Sequence, residues 1–446
     1  MFETLIKGGN VVDVDGIRPA GVAISGGRIA AIVASGDAAE AKAVVDVDGA
    51  LLLPGLVDAH AHLREPGLTH KEDFSTGTHA AALGGVTTVL DMPTDEPWTA
   101  TAAQLAEKTS LAAGRLHVDL GFQVALAREL QAVPELLDLG PVSFELFTAD
   151  VPEGFLFATL DDVSEALKAF IGTDTLIGIS PGDQSILPGS SRRDRSGGIA
   201  DFLASRPPLA EAGGIARAVI AAAGSGARIH VRQINAELGV RTWTRLRDMA
   251  DASVETTPQN LFFTADDYAR QGANLKASPP LRSDEDVAAL RAALAGGLID
   301  IVATDHAPHA PPEKAATYPA FADIPGGMPG LQTLLPAMLK LLDEGLITLP
   351  DLVRVCARNP AERFGLGKRK GRIAAGFDAD ILVIDPRRSS TITNAAQVSR
   401  AGYTPFDGFT VKARLTSVFL RGSEIVRDGL LVSPRQGQVV RREGGS

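Results

Sequence analysis

Two histidines one residue apart, His60 and His62, end an apolar run in Pro54-Gly55-Leu56-Val57-Asp58-Ala59-His60-Ala61-His62. Side chains on a strand alternate between faces, so both imidazoles point the same way at the strand's C-terminal end. Such a pair suits one divalent metal ion; it also occurs as two solvated or core histidines. Far along the chain, a second apolar run, Ile299-Asp300-Ile301-Val302-Ala303-Thr304, delivers Asp305 and His306 into a Pro-containing loop. A carboxylate at the end of a buried strand needs a partner. A metal held by His60 and His62 supplies one; the other reading of Asp305 is a cap on the following turn.

Bringing these residues together requires strands with a common direction. Between residues 51 and 364, short β-like runs alternate with helical ones, the pattern of a parallel sheet. Strands are predicted at 51–58, 86–91, 117–122, 142–147, 176–180, 228–234, 252–257 and 298–304, with amphipathic segments at 101–113, 160–171, 209–223, 236–250 and 284–296. Eight units, without a G-x-G-x-x-G, predict an α/β fold with a closed (β/α)8 TIM barrel, in which chemistry gathers at the C-terminal strand ends. Residues 1–53 read as turn-separated β strands, and the phrase Val418-Phe419-Leu420-Arg421-Gly422 echoes Leu5-Ile6-Lys7-Gly8. The predicted domains are therefore a barrel over 54–364 and a small β-sandwich made from 1–53 and 365–446.

The 446 residues exceed one small core and suit a large domain with a satellite. A net charge of −11 argues against nucleic acid or an anionic membrane as the main partner. The single cysteine, Cys356, excludes an intrachain disulfide and fits a reducing compartment. The start lacks the basic-then-apolar layout of a signal peptide, and no apolar run approaches the ~18 residues of a spanning helix. A cytoplasmic location is expected.

With these pieces in place, the sequence resembles the amidohydrolase superfamily, specifically the cyclic amidohydrolases: dihydroorotase, allantoinase and hydantoinase. The resemblance rests on Pro54 to Gly67, Gly84-Gly85-Val86-Thr87-Thr88-Val89-Leu90-Asp91-Met92-Pro93, Ser278-Pro279-Pro280-Leu281-Arg282, Thr304-Asp305-His306-Ala307-Pro308-His309, Asn359-Pro360-Ala361 and Gly376-Phe377-Asp378-Ala379-Asp380. It implies a metal-dependent hydrolase that opens a cyclic amide, imide or ureide. The family's usual site holds two metals bridged by a carboxylated lysine. Here Glu145 stands at the lysine position, and Ser180 and Gln233 stand where two further histidines are expected. His230, three residues before Gln233, lies on the opposite strand face and is a poor substitute ligand.

The resemblance then implies one divalent ion, zinc or alternatively manganese, on His60, His62 and Asp305, with Glu145 as a fourth ligand. Asp305 is the expected general base, passing a proton from water to the leaving nitrogen. Arg64 occupies the position that grips a substrate carboxylate in dihydroorotase-like members, its alternative being a salt bridge to Glu65 or another acid. Thr94, which follows Met92-Pro93 where dihydroorotases use asparagine, Asp150, Asn235 and His309 complete the candidate substrate contacts. Two segments are expected to shape the pocket: 183–198, polar and Gly-rich as a mobile lid, and 306–329, with His306 and His309. The expected partner is a small cyclic amide, with the chain in a homodimer or homotetramer. Two alternatives remain: a non-catalytic dihydroorotase-like assembly partner, of the type that pairs with aspartate transcarbamoylase, and another metal-assisted reaction such as deamination or decarboxylation.

Overall fold

The computed structural model describes residues 1–187 and 197–442. Eight parallel strands follow one another around a barrel: Leu56–Ala61, Val86–Asp91, Asp119–Ala125, Ser143–Phe147, Leu176–Ser180, Arg228–Val231, Ala252–Thr256 and Ile301–Val302. The ring closes where the His62 amide donates to the His306 carbonyl at 2.7 Å, beside the bridge between Ala61 and His306. The last strand is only two residues long because side chains replace its ladder. Asp58 accepts the Thr304 amide at 3.0 Å, and Asp300 accepts that of Val254 at 2.9 Å.

The helices begin where short polar side chains satisfy free amides. Thr101 with Gln104, Thr159 with Asp162 and Ser283 with Asp286 form capping boxes for helices Ala102–Ala112, Leu160–Lys168 and Asp284–Ala295. These helices, with Pro208–Ser225 and Glu237–Leu246, occupy the predicted segments to within a few residues. No helix among the described residues is long and apolar enough to cross a membrane.

The two ends of the chain form a single nine-stranded sheet. Leu51–Pro54 lies between Phe2–Asp13 and Ile381–Asp385, so N- and C-terminal segments pair directly. Its own core includes Ile6, Val11, Val22, Leu52, Ile381 and Phe419. Two boundaries differ from expectation. The strand predicted over 51–58 is two strands, one in each sheet, broken at Gly55. The tail, predicted to stay with the terminal sheet, returns to the barrel, where Val439 and Val440 pair with Leu120 and Gly121.

Gly55 is where the chain crosses from sheet to barrel, and there is no space beside it. A Cβ there would stand 2.1 Å from Thr87 Oγ1. Gly55→Ala is expected to lower stability by about 1–3 kcal/mol, read as a fall in the urea midpoint. Thr87 Oγ1 is buried without a hydrogen-bond partner, so adding Thr87→Ala, which removes Oγ1 and Cγ2 but leaves Cβ at 2.8 Å, should recover part of the loss; an unchanged midpoint in the single variant would refute the crowding.

Candidate active site

His60 and His62 leave the first barrel strand, and Asp305 follows the eighth. Their Nε2 atoms lie 3.4 and 3.3 Å from Asp305 Oδ1, and all three donor atoms fall within 4.8 Å of one another. Each imidazole is held from behind. His60 Nδ1 donates to Glu255 Oε1 at 2.5 Å, and His62 Nδ1 meets Thr94 Oγ1 at 2.8 Å. A carboxylate only accepts, so Nδ1 of His60 carries the proton and its Nε2 lone pair turns toward Asp305.

Burial opposes charge on His60, but the neighbouring Glu255 and Asp305 carboxylates win and hold its pKa above the ordinary value. Burial takes His62 down to about 4, leaving it neutral at pH 7. Without a metal, the excess negative charge draws a proton onto His60; a cation among the three donors answers the same demand. Two imidazole nitrogens and one carboxylate oxygen, opening onto a cavity, form a donor set that fits one catalytic divalent ion.

Glu145, expected as a fourth ligand, is placed elsewhere. Arg232 donates to its Oε2 at 3.1 Å and its Oε1 at 2.6 Å, and the Ser143 hydroxyl adds a bond at 2.9 Å. The cause is physical: Arg232 reaches into the barrel from the sixth strand end, and its guanidinium takes the carboxylate that would otherwise seek a metal. His230 is fully buried, bonded to Ser253 and Glu255.

Above the three donors lies a cavity of about 300 Å³. Its lining includes His60, His62, Asp305, Arg64, Asp150 and Arg206. Four of the seven non-glycine residues with left-handed backbone among the described residues, Arg64, Asp150, Gln233 and Asp305, line this one cavity. Such strain concentrates where the surrounding structure over-determines a working geometry.

Among the expected substrate contacts, Arg64 and Asp150 reach the cavity, while Thr94, Asn235 and His309 stand behind its wall. Thr94 orients His62. Asn235 donates to the Pro280 carbonyl at 2.8 Å and accepts from Arg282 at 3.0 Å. His309 donates through Nε2 to the Gly326 carbonyl at 2.9 Å, and burial takes its pKa to about 3. It therefore fastens the loop that carries Gly326 and Gly327 into the cavity wall. Asp150 is already paired with Arg206 at 2.5 Å.

Arg64 is different. Glu65 pairs with Arg115 at 2.5 Å, and no carboxylate among the described residues is within ion-pair distance of Arg64. Its Nε donates to the Pro308 carbonyl at 3.3 Å. Of the expected lid over 183–198, residues 188–196, with their basic cluster, lie outside the described residues.

Residues 242–425 match the amidohydrolase family model and residues 49–117 match a dihydro-orotase-like model. An allantoinase of Salmonella newport is 34% identical over 98% of both chains. Among solved structures, an L-hydantoinase (dihydropyrimidinase) from Arthrobacter aurescens has a TM-score of 0.95 and 29% identity, over 99% of this chain and 100% of that one. A dihydropyrimidinase from Brevibacillus agri superposes with a TM-score of 0.91 at 28% identity, over 98% of both. This chain belongs to the cyclic amidohydrolases.

Within this amidohydrolase, Ser180 and Gln233 line the cavity as neutral side chains. Three further groups shape the site without having been singled out in the sequence: Glu255 behind His60, Arg232 between two glutamates, and Arg282 beside Asn235. The available signal was a charged residue near the end of a strand-like stretch, as in Ile229-His230-Val231-Arg232 and Ala252-Ser253-Val254-Glu255, since a buried charge must find a partner.

Proposed function

We propose that this chain is a single-metal hydrolase that opens a cyclic amide, imide or ureide ring bearing a carboxylate. The observation that carries this reading is the convergence of His60, His62 and Asp305 on the floor of a cavity whose wall presents Arg64 without a carboxylate partner. The family membership favours this over the assembly-partner alternative.

His60, His62 and Asp305 would hold a divalent ion, which when bound would supply Lewis acidity toward water and the scissile carbonyl. Asp305 takes the proton from the attacking water and delivers it to the ring nitrogen as the C–N bond breaks. Thr94 and Glu255 keep the two imidazoles in register while this happens. Arg64 orients the ring by its carboxylate, a planar bidentate contact. Burial pulls the Arg64 pKa below its ordinary value, so an anion that pairs with it relieves an existing desolvation cost.

The test is turnover by the full chain, metal-free and with added zinc or manganese, on hydantoins, allantoin, dihydropyrimidines and cyclic imides, each with and without a carboxylate. Ring opening that appears with metal supports the reading; no turnover on any member refutes it. Arg64→Met is expected to raise KM for the carboxylated ring by about 10- to 100-fold, the loss of a charged hydrogen-bonded pair, with a smaller change in kcat. An equal KM change for the uncharged analogue would show that Arg64 does not read the carboxylate.

A further inference from the structure

The barrel interior beneath the cavity holds a closed set of charges that meets the ring-opening site only through Glu255. Arg232 has five N–H donors, and all five are spent. Nε and one Nη2 proton hold Glu145, and the other Nη2 proton reaches Gln123 Oε1 at 2.5 Å. The Nη1 pair bonds the Ala59 carbonyl and Glu255 Oε2, both at 3.0 Å. Arg232, Glu145, Glu255 and Gln123 are all fully buried.

The carboxylates are equally occupied. Both Glu145 oxygens accept from Arg232. Glu255 Oε2 accepts from Arg232 and from His230 at 2.9 Å, which leaves Oε1 for His60. Every oxygen of both glutamates already accepts a hydrogen bond and neither glutamate lines the cavity, where Gln233 and Ser180 are uncharged.

We infer that Arg232 is a built-in counter-cation that fixes the site at one divalent ion, and that Glu255 is the positioning residue that turns His60 toward that ion. Charge balance supports both parts. Glu145, Glu255, Asp305 and Asp58, which accepts the His60 and Thr304 amides, against Arg232 and Arg64 leave two negative charges, which one divalent ion cancels. A second would bring two uncompensated positive charges toward a buried guanidinium, where like charges repel strongly. Glu255 meanwhile links the two cations: its one oxygen on Arg232 fixes where the other oxygen holds His60. This rests on the metal site of the proposed function but not on its substrate.

The test is equilibrium zinc binding by the full chain, measured by dialysis and elemental analysis without substrate. One equivalent per chain is expected, with no further tight uptake as zinc is raised. Glu255→Gln should weaken zinc binding by about 10- to 100-fold. Glu145→Gln touches the same guanidinium but not His60, and should leave zinc affinity within about threefold. A merely structural role would move both variants alike.

Two equivalents in the unaltered protein, none, or equal weakening in the two variants would overturn the inference. If either variant fails to fold, the stoichiometry of the unaltered protein still decides the counter-cation. The outcomes separate from those of the proposed function. Two bound ions with ring opening would sink this inference and the metal count of the reading above while leaving ring opening standing, and one bound ion without ring opening would sink only the hydrolase reading.

Discussion

An Asp305→Asn protein is expected to open its cyclic substrate about 10³- to 10⁴-fold more slowly, a rise of about 4–5.5 kcal/mol in the barrier. Asparagine is the informative replacement. Asp305 has φ 47°, a left-handed conformation that asparagine tolerates and alanine resists, so the loss reports chemistry rather than backbone strain. The amide oxygen still faces His60 and His62, but it cannot take a proton from water. Measuring kcat/KM at saturating metal, with bound metal determined on the same sample, separates loss of the base from loss of the ion. Activity within tenfold of the unaltered protein, metal being bound, would remove Asp305 from the proton path.

Why Asp305 was readable in the sequence and its supports were not follows from how far apart the contacts lie. The His60 and His62 pair declares itself by a spacing of two, and Asp305 by its place after an apolar run. Their supports come from remote strands: Glu255 is 195 residues from His60, and Arg232 is 87 residues from Glu145. Each is a charge near the end of a short strand, and which opposite charge it meets depends on barrel register that periodicity does not supply. Glu145 differs from expectation for the same reason: its identity suggests a ligand, while Arg232, 87 residues away, binds both its oxygens.

The fold was more legible because its signals are local. Capping boxes, Gly-rich turns and alternating apolar runs place the barrel elements to within a few residues. The differences fall where a contact distant in sequence decides: at Gly55, pressed against Thr87, and at the short last strand, where Asp58 substitutes for a ladder. The echo between the two chain ends correctly announced a shared sheet, yet the final residues leave it for the barrel.

The loop that holds Thr94 against His62 depends on one buried ammonium, and its removal is expected to have the largest effect on stability. Lys108 is fully buried, with Nζ 2.7 Å from Asp91 and 2.6 Å from Asp95, and it donates to the Met92 carbonyl at 3.2 Å. Lys108→Met leaves two buried carboxylates facing each other and should cost about 3–5 kcal/mol. The sign of its pH dependence is fixed. Burial already raises Asp91 to about 7, and loss of the cation raises both carboxyls further. A carboxyl whose folded pKa exceeds its unfolded value binds protons on folding, so stability is fullest below the unfolded pKa near ~4 and falls as pH rises through the folded one. The deficit relative to the unaltered protein should therefore be about 1–2 kcal/mol larger at pH 8 than at pH 5, read from urea unfolding at both. A deficit that is the same at both pH values would mean that the ammonium is not what holds the two aspartates apart from protons. The variant should also lose metal affinity, because Met92 and Asp95 flank the segment that brings Thr94 to the back of His62.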